Sequence, residues 1–380
     1  MAITVAFVTH SAQCSGAELF VARTCAALDR VHPVVVLGEH GPVESVLRAR
    51  GIEYVVIPLG ASVARVSARG AGVANAATAA VGTIAATVRL RNWLRSRGVD
   101  VVATHSAKAH VYAGAAARAA GVPVVAHAHD IMGVEGAAPL GARLLRAVFR
   151  TVPREVIANS RTTLGSLPAA ARRRATVIGC PADVGTATPQ RDEVRRFVLV
   201  GRITAWKGQD IAVRALAAAR ACGLDRRVRL TLVGAPLFDG DLVHEHALRT
   251  LVDRLGLTDA IEFRGHVDDV AAEYARADAV LHTSRRPEPF GQVVVEALAA
   301  GRPVIAADTG GPAEILTHEH DGLLVPSDDP AALAAAMLRI ADDAALRASL
   351  VTEGRSTALA HTPERIATQI EDVLLRAVAR

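Results

Sequence analysis

The chain has 380 residues, 51% of them hydrophobic and 21% charged, with a formal net charge of +5. So apolar a chain with so little net charge is not disordered, and its length suits two domains or one large one. Aromatic residues at 3% leave few platforms for single-stranded nucleic acid, and no apolar run is long enough to read as a membrane span. The opening residues Met1 to His10 lack a basic stretch and run into a strand pattern, so no signal peptide is expected. Cys14, Cys25, Cys180 and Cys222 show no metal-ligand spacing, which fits a reducing cytoplasm. The first 190 residues carry an excess of positive charge and the remainder an excess of negative charge, which suggests two domains with different partners, although arginine coating helix exteriors explains most of these positions better. Only two of the 43 cations are lysine, Lys108 and Lys207.

In chain order, short β-branched runs alternate with longer helical patterns. Strands are expected at Ile3–Thr9, Val34–Leu37, Tyr54–Ile57, Val101–Thr104, Val122–Ala126 and Val156–Ala158. Between them lie helices at Ala17–Asp29, Pro42–Arg50, within Ala74–Arg97, at Ala109–Ala120 and at Gly141–Val152. The second half repeats the rhythm with strands Phe197–Val200, Val228–Val233, Ile261–Arg264, Ala279–His282, Pro303–Ala306 and Gly322–Val325. Helices Pro330–Ala341 and Ala344–Thr352 follow the last of them. Continuous apolar strands spaced by helices imply parallel sheets covered on both faces, hence two Rossmann-like domains. The Gly-, Pro- and Thr-rich stretch from Gly179 to Arg191 reads as the linker. Ligands of such sheets bind beyond the carboxyl ends of the strands, so a cleft between the domains is expected to be lined by the residues just past each strand.

Four segments there carry chemistry. The loop His10 to Glu18 opens a helix near Ala17 and offers backbone N–H groups to an anion or a hydroxyl, although an ordinary tight turn explains it equally well. His127-Ala128-His129-Asp130 is a metal site lacking further ligands, a base with its orienting carboxylate, or a set of contacts to a hydroxylated ligand; His127 and His129 share one strand face. Arg202 and Lys207 project where a strand ends and a helix begins, a place for cations only if an anion joins them, and a diphosphate is suitable. Glu288 in a loop fixed by Pro and Gly and Glu296 on the second turn of the helix that follows, ahead of the Gly310-Gly311-Pro312-Ala313-Glu314 turn, could clasp a nucleotide-sugar, whereas a glycosidase acid–base pair would not need the neighbouring phosphate site. Asp239-Gly240-Asp241 reads as a turn and helix cap, not as a metal-binding acid pair.

Together Gly201-Arg202-x4-Lys207-Gly208, Glu288-Pro289-Phe290-Gly291-x4-Glu296-Ala297 and Gly310-Gly311-x2-Glu314 resemble glycosyltransferase family 4, over nearly the whole chain. The resemblance implies a GT-B fold of two Rossmann-like domains facing each other across a cleft. The acceptor-side domain would span residues 1–184, with a final helix at about 363–380 packing back on it, and the donor domain residues 185–362. It implies a retaining transferase that uses a nucleoside-diphosphate sugar as co-substrate, UDP and GDP not being distinguished, with no cofactor and no metal. Arg202 and Lys207 would bind the diphosphate, Glu288 the sugar and Glu296 the ribose. Phe290, Gly291 and Gln292 would line the phosphate and sugar, Gly234, His266 and Val267 would lie at the donor, Gly16 under the diphosphate, and His129 beside the anomeric carbon. Two departures stand out: Gly179-Cys180-Pro181-Ala182-Asp183 replaces the family's usual Asn-Gly pair, and Cys14-Ser15-Gly16 replaces a frequent double glycine.

The expected partners are a nucleotide-sugar and a small soluble acceptor (a sugar, cyclitol or thiol, as in natural-product biosynthesis), with no nucleic acid. A lipid acceptor at a membrane surface is the alternative, prompted by Arg65, Arg69, Arg89, Arg91, Arg95 and Arg97 around a helical stretch. It is not favoured, because Gly70 to Val88 has small side chains where a membrane-seeking face carries large ones. A dinucleotide-dependent oxidoreductase lacks its glycine fingerprint here.

Overall fold

A computed structural model describes residues 2–59, 73–133, 139–185 and 189–379. Arg65, Arg69 and the beginning of the Gly70–Val88 stretch lie outside the described residues.

The chain divides into two compact units, Met1–Pro181 with Pro363–Arg380, and Ala182–Thr362. The first holds a parallel seven-stranded sheet of β1 (Ile3–Thr9), β2 (Val31–Leu37), β3 (Glu53–Val56), β4 (Val101–Thr104), β5 (Val124–Ala128), β6 (Glu155–Ala158) and β7 (Ala175–Val177). Their order is β3-β2-β1-β4-β5-β6-β7. The second holds a parallel six-stranded sheet of β8 (Arg196–Val200), β9 (Arg229–Val233), β10 (Ile261–Gly265), β11 (Ala279–His282), β12 (Val304–Ala307) and β13 (Leu323–Val325), in the order β10-β9-β8-β11-β12-β13. In each sheet the order reverses beside the first strand, between β1 and β4 and between β8 and β11. That is the switch point where open α/β sheets leave a crevice for ligands.

Burial explains the strands. Val5, Ala6, Phe7 and Val8 are fully buried on both faces of β1, as are Phe197 and Val198 on β8. Each such Val or Phe contributes about 1.5–3 kcal/mol relative to exposure. Several helix starts are capped by a short polar side chain: Ser106 accepts from Ala109 N (3.3 Å), Ser160 from Thr163 N (2.9 Å) and Asp343 from Leu346 N (2.8 Å). The last helix, Pro363–Ala379, buries Ile366, Ile370, Val373 and Leu374 in the first unit. Its buried Glu371 accepts the backbone N–H groups of Asp29 (2.8 Å) and Arg30 (2.6 Å).

Several element boundaries differ from expectation. β2 begins at Val31, running through Pro33, because β3 pairs with it only from Val34 onward and the missing Pro33 N–H faces no partner. β5 runs Val124–Ala128 instead of Val122–Ala126, since its ladder with β6 continues to His127↔Ile157 and Ala128↔Ala158. His127 is therefore a strand residue, not part of the following loop. β7 and the short helices Arg161–Ser166 and Ala169–Arg172 went unforeseen, being too brief for a periodic signal. The helix from Ala344 continues to Leu359 through Gly354, where a Cβ would stand 2.7 Å from Leu298 Cδ2. Close packing, not helix propensity, selects that glycine.

Candidate functional site

In the second unit, β8 ends at Val200 and the chain turns through Gly201 and Arg202 into a single 3-10 turn, Ala205–Lys207, ahead of the helix Gln209–Ala221. Gly208 makes this turn possible. Its φ is +69°, and a Cβ would lie 2.2 Å from Thr283 O. Thr283, just past the neighbouring β11, donates its hydroxyl to Lys207 O (2.8 Å) and Gly208 O (2.9 Å). The turn is thus pinned to the strand whose loop supplies Glu288.

Lys207 Nζ lies 2.6 Å from Glu288 Oε1, and the two side chains are only 13% and 12% exposed. Glu288 Oε2 accepts from Ser284 Oγ (2.9 Å) and meets His282 Nε2. Burial opposes ionisation of Glu288, but the Lys207 charge and the His282 contact hold its carboxyl well below the usual range. The loop is anchored from behind by a bridge between Glu288 and Gly310, with Gly311 N donating to Glu288 O (2.7 Å). Arg202 turns elsewhere: its Nε is 3.7 Å from Asp241 Oδ2 and its guanidinium lies 5.2 Å from the Phe238 ring centroid. Asp241 sits in the first turn of the helix Asp239–Arg254, its carboxylate facing Leu237 N and Phe238 N (3.4 and 3.3 Å).

Glu296 lies on the second turn of the helix Gln292–Ala299. It accepts from Gln292 Nε2 (3.2 Å) and Tyr274 Oη (3.1 Å). Phe290 is buried against the His361 ring, 5.5 Å between centroids, and Gly291 precedes the helix. Gly234 follows β9 and bonds its N–H to Gly265 O (2.8 Å) at the end of β10. His266 and Val267 come next, the His266 side chain 71% exposed. Strand-end positions after β8, β9, β10 and β11 thus share one edge of this sheet.

The first unit gathers a second set. His10 follows β1, His105 follows β4 and His129 follows β5, three adjacent strands. His10 Nδ1 meets Ser106 Oγ at 2.8 Å, and His105 Nδ1 meets His129 Nε2 at 3.1 Å. The His127 and His129 rings stack 4.1 Å apart. Burial lowers the pKa of His129 to about 3, and burial with the Lys108 charge lowers that of His10 to about 4, so both are neutral at pH 7. Gly16 is the first residue of the helix Gly16–Ala26, beside Ser15, whose hydroxyl bonds Glu18; Glu18 also accepts from Thr9 Oγ1 (2.8 Å).

The sequence reading missed His105, His282 and Ser284. All three follow or end a strand at the carboxyl edge, and the rule that singled out His129 applied equally to them.

Residues 14–186 match the family model Glycosyltransferase Family 4, and residues 187–357 match Glycosyl transferases group 1. The chain belongs to glycosyltransferase family 4. Its two parallel-sheet, Rossmann-like units are of the GT-B type. A D-inositol 3-phosphate glycosyltransferase of Streptomyces avermitilis is 36% identical over 189 residues, 47% of this chain and 39% of that protein. The lipopolysaccharide core biosynthesis glycosyltransferase LpsD of Rhizobium meliloti is 37% identical over 142 residues, 37% of this chain and 41% of that one. The chain spans less than half the length of either relative. Among solved structures, Anabaena HepE in complex with UDP and glucose superposes with a TM-score of 0.84 at 25% identity, covering 98% of this chain and 99% of that one.

Proposed function

We propose that this family 4 chain is a retaining, metal-independent glycosyltransferase that moves a sugar from a nucleoside-diphosphate sugar to a small soluble acceptor in the cytoplasm. The observation that carries the reading is the nearly buried Lys207–Glu288 pair at the carboxyl edge of the second sheet. When the diphosphate binds, Lys207 turns to its oxygens, while His282 and Ser284 keep Glu288 in place to accept from the sugar hydroxyls. Arg202, held loosely by Asp241, joins Lys207 at the diphosphate, and Glu296 takes the ribose.

In the transfer step the acceptor hydroxyl attacks the anomeric carbon from the face that the diphosphate leaves. The electron pair of the breaking C–O bond passes to the phosphate oxygen, which takes the acceptor's proton. Lys207, Arg202 and the N–H groups ahead of the helix Gln292–Ala299 stabilise the charge growing on that oxygen, a task a divalent cation performs in other transferases. His129, neutral at pH 7, binds the sugar instead of acting as an acid. UDP bound to HepE supports UDP as the first nucleotide to try, and the name of the inositol phosphate relative supports a small, polar acceptor.

One observation favours the membrane-surface reading: the helix Pro139–Thr151 exposes Arg143, Arg146 and Arg150 together with Leu144, which is 50% exposed. The name of the LpsD relative points the same way. Co-sedimentation with anionic liposomes separates the two acceptor readings; salt-sensitive pelleting lost on Arg143→Glu with Arg146→Glu would favour the lipid. For the donor, a melting-temperature panel with UDP, GDP, TDP and ADP ranks the nucleotides. Product NMR from UDP- and GDP-sugars with inositol phosphate then reports transfer and its stereochemistry. Unaltered transfer by both Lys207→Ala and Glu288→Ala would overturn the proposal.

A further inference from the structure

His127 is 1% exposed, and neither of its ring nitrogens has a hydrogen-bond partner; His105, 2% exposed, leaves its Nε2 without one. A neutral imidazole brings one donor and one acceptor, so burying both unmet is costly unless something else occupies them. Ring faces and edges surround them. Phe20 lies T-shaped to His127 (4.5 Å between centroids) and His129 (4.9 Å), and Phe7 stacks on His105 (5.6 Å).

One nitrogen from each of His105, His127 and His129 can be chosen so that all lie within 4.8 Å of one another. We propose that these three histidines form a binding site for one divalent transition metal of the zinc, cobalt or nickel type, at the carboxyl edge of the first unit's sheet. The site goes beyond the transferase reading and supplies nothing to the transfer step.

Two features select this class of ligand. Neutral nitrogen donors without a carboxylate among them suit zinc, cobalt, nickel or copper, and not magnesium or calcium, which take oxygen. The 3.1 Å between His105 Nδ1 and His129 Nε2 is also close to the spacing of two nitrogens on one metal, roughly 3.3 Å for bonds of about 2.0–2.1 Å in tetrahedral geometry. The two residues hold that spacing before any metal arrives; a metal there takes His105 Nδ1 and leaves its Nε2 as it is, so the unmet nitrogens that it answers are those of His127. His127, whose ring lies within 20° of parallel to His129, completes the set by turning about its Cβ–Cγ bond. The backbone supports these positions: Asn159 Nδ2 donates to His129 O (3.0 Å), and β5 holds His127 in register with Ile157 of β6. His129 is only partly buried and Asp130 beside it is exposed, which gives the metal a route from solvent. A metal here would claim the His129 Nε2 and so withdraw it from any sugar.

The test uses the full chain, stripped with a chelator and titrated with Co²⁺, reading the visible d–d absorption. Zn²⁺ affinity follows by competition with a chromogenic indicator. One equivalent should bind. His127→Phe, which keeps a ring in the strand, and His105→Gln should each weaken binding beyond the roughly 10–100-fold that losing a residue hydrogen-bonded to a metal ligand costs. The control His110→Gln, outside the cluster, should bind as the wild type does. X-ray absorption of the zinc-loaded wild type should show three imidazole nitrogens at about 2.0–2.1 Å, which needs no variant to fold. UDP-induced stabilisation of the chelator-treated protein, measured alongside, tests the donor reading separately. No d–d band at stoichiometric cobalt would overturn the metal site, as would binding undiminished in both cluster variants or an absorption spectrum with fewer imidazoles.

Discussion

Replacing Lys207 with methionine keeps most of the side chain's volume and removes only the charge that Glu288 faces at 2.6 Å. Breaking a buried ion pair from one side costs about 3–5 kcal/mol, because the remaining charge is left uncompensated. Two circumstances reduce that figure here. Glu288 keeps Ser284 and His282, and it can take up a proton once Lys207 no longer holds its carboxyl low. The expected loss is therefore about 2–4 kcal/mol, which in a domain of this size lowers Tm by roughly 5–15 °C. Adding Glu288→Gln removes the orphaned charge and leaves an amide that can still bond Ser284 and His282. The double variant should return to within about 1 kcal/mol of the wild type. Nucleotide binding should not return with it, since a lost charge-assisted contact to phosphate costs about 1.5–3 kcal/mol, or roughly 10- to 100-fold in Kd. Calorimetric melting of the two single variants and the double, with UDP titrations on the same samples, measures both effects. A Lys207→Met protein as stable as the wild type, or a double variant no better than that single one, would refute the reasoning.

Gly208→Ala places a Cβ 2.2 Å from Thr283 O at a φ of +69°, so it should cost more than about 2 kcal/mol in urea unfolding and weaken UDP binding by shifting the Lys207 turn. Ala at Gly223, which also has positive φ (+108°) but open space, should cost less. His110, buried and bonded to Thr104 Oγ1 at 2.7 Å, has its pKa lowered by burial to about 3, below the 6.5 of an unfolded chain. The unfolded state binds the extra proton, so this residue's share of stability is lost as pH falls below 6.5. Between pH 7 and 5 the wild type should lose about 2 kcal/mol more than His110→Gln, and equal urea midpoint shifts would contradict that. His282→Phe should let the Glu288 carboxyl rise toward its ordinary range and move the acid limb of the kcat/KM profile upward, whereas a purely structural role would lower kcat/KM at every pH alike.

The two parallel sheets can be read from the order of residues alone, because fully buried strands such as β1 and β8 leave continuous β-branched or aromatic runs bounded by helical periods. That order also marks Arg202, Lys207, Glu288 and Glu296, whose spacing among fixed Gly and Pro residues is local and therefore visible in one dimension. Which of them meet depends on how the strands are ordered in three dimensions. Lys207 pairs with Glu288, 81 residues away, because β8 and β11 are sheet neighbours, while Arg202 turns to Asp241 and Glu296 to Tyr274. The same adjacency, of β4 with β5, joins His105 to His129 across 24 residues and leaves His127 buried without a hydrogen-bond partner. Strand order follows from how helices cover a twisted sheet, a property of packing between distant segments, so no local pattern of residues could have announced these partners.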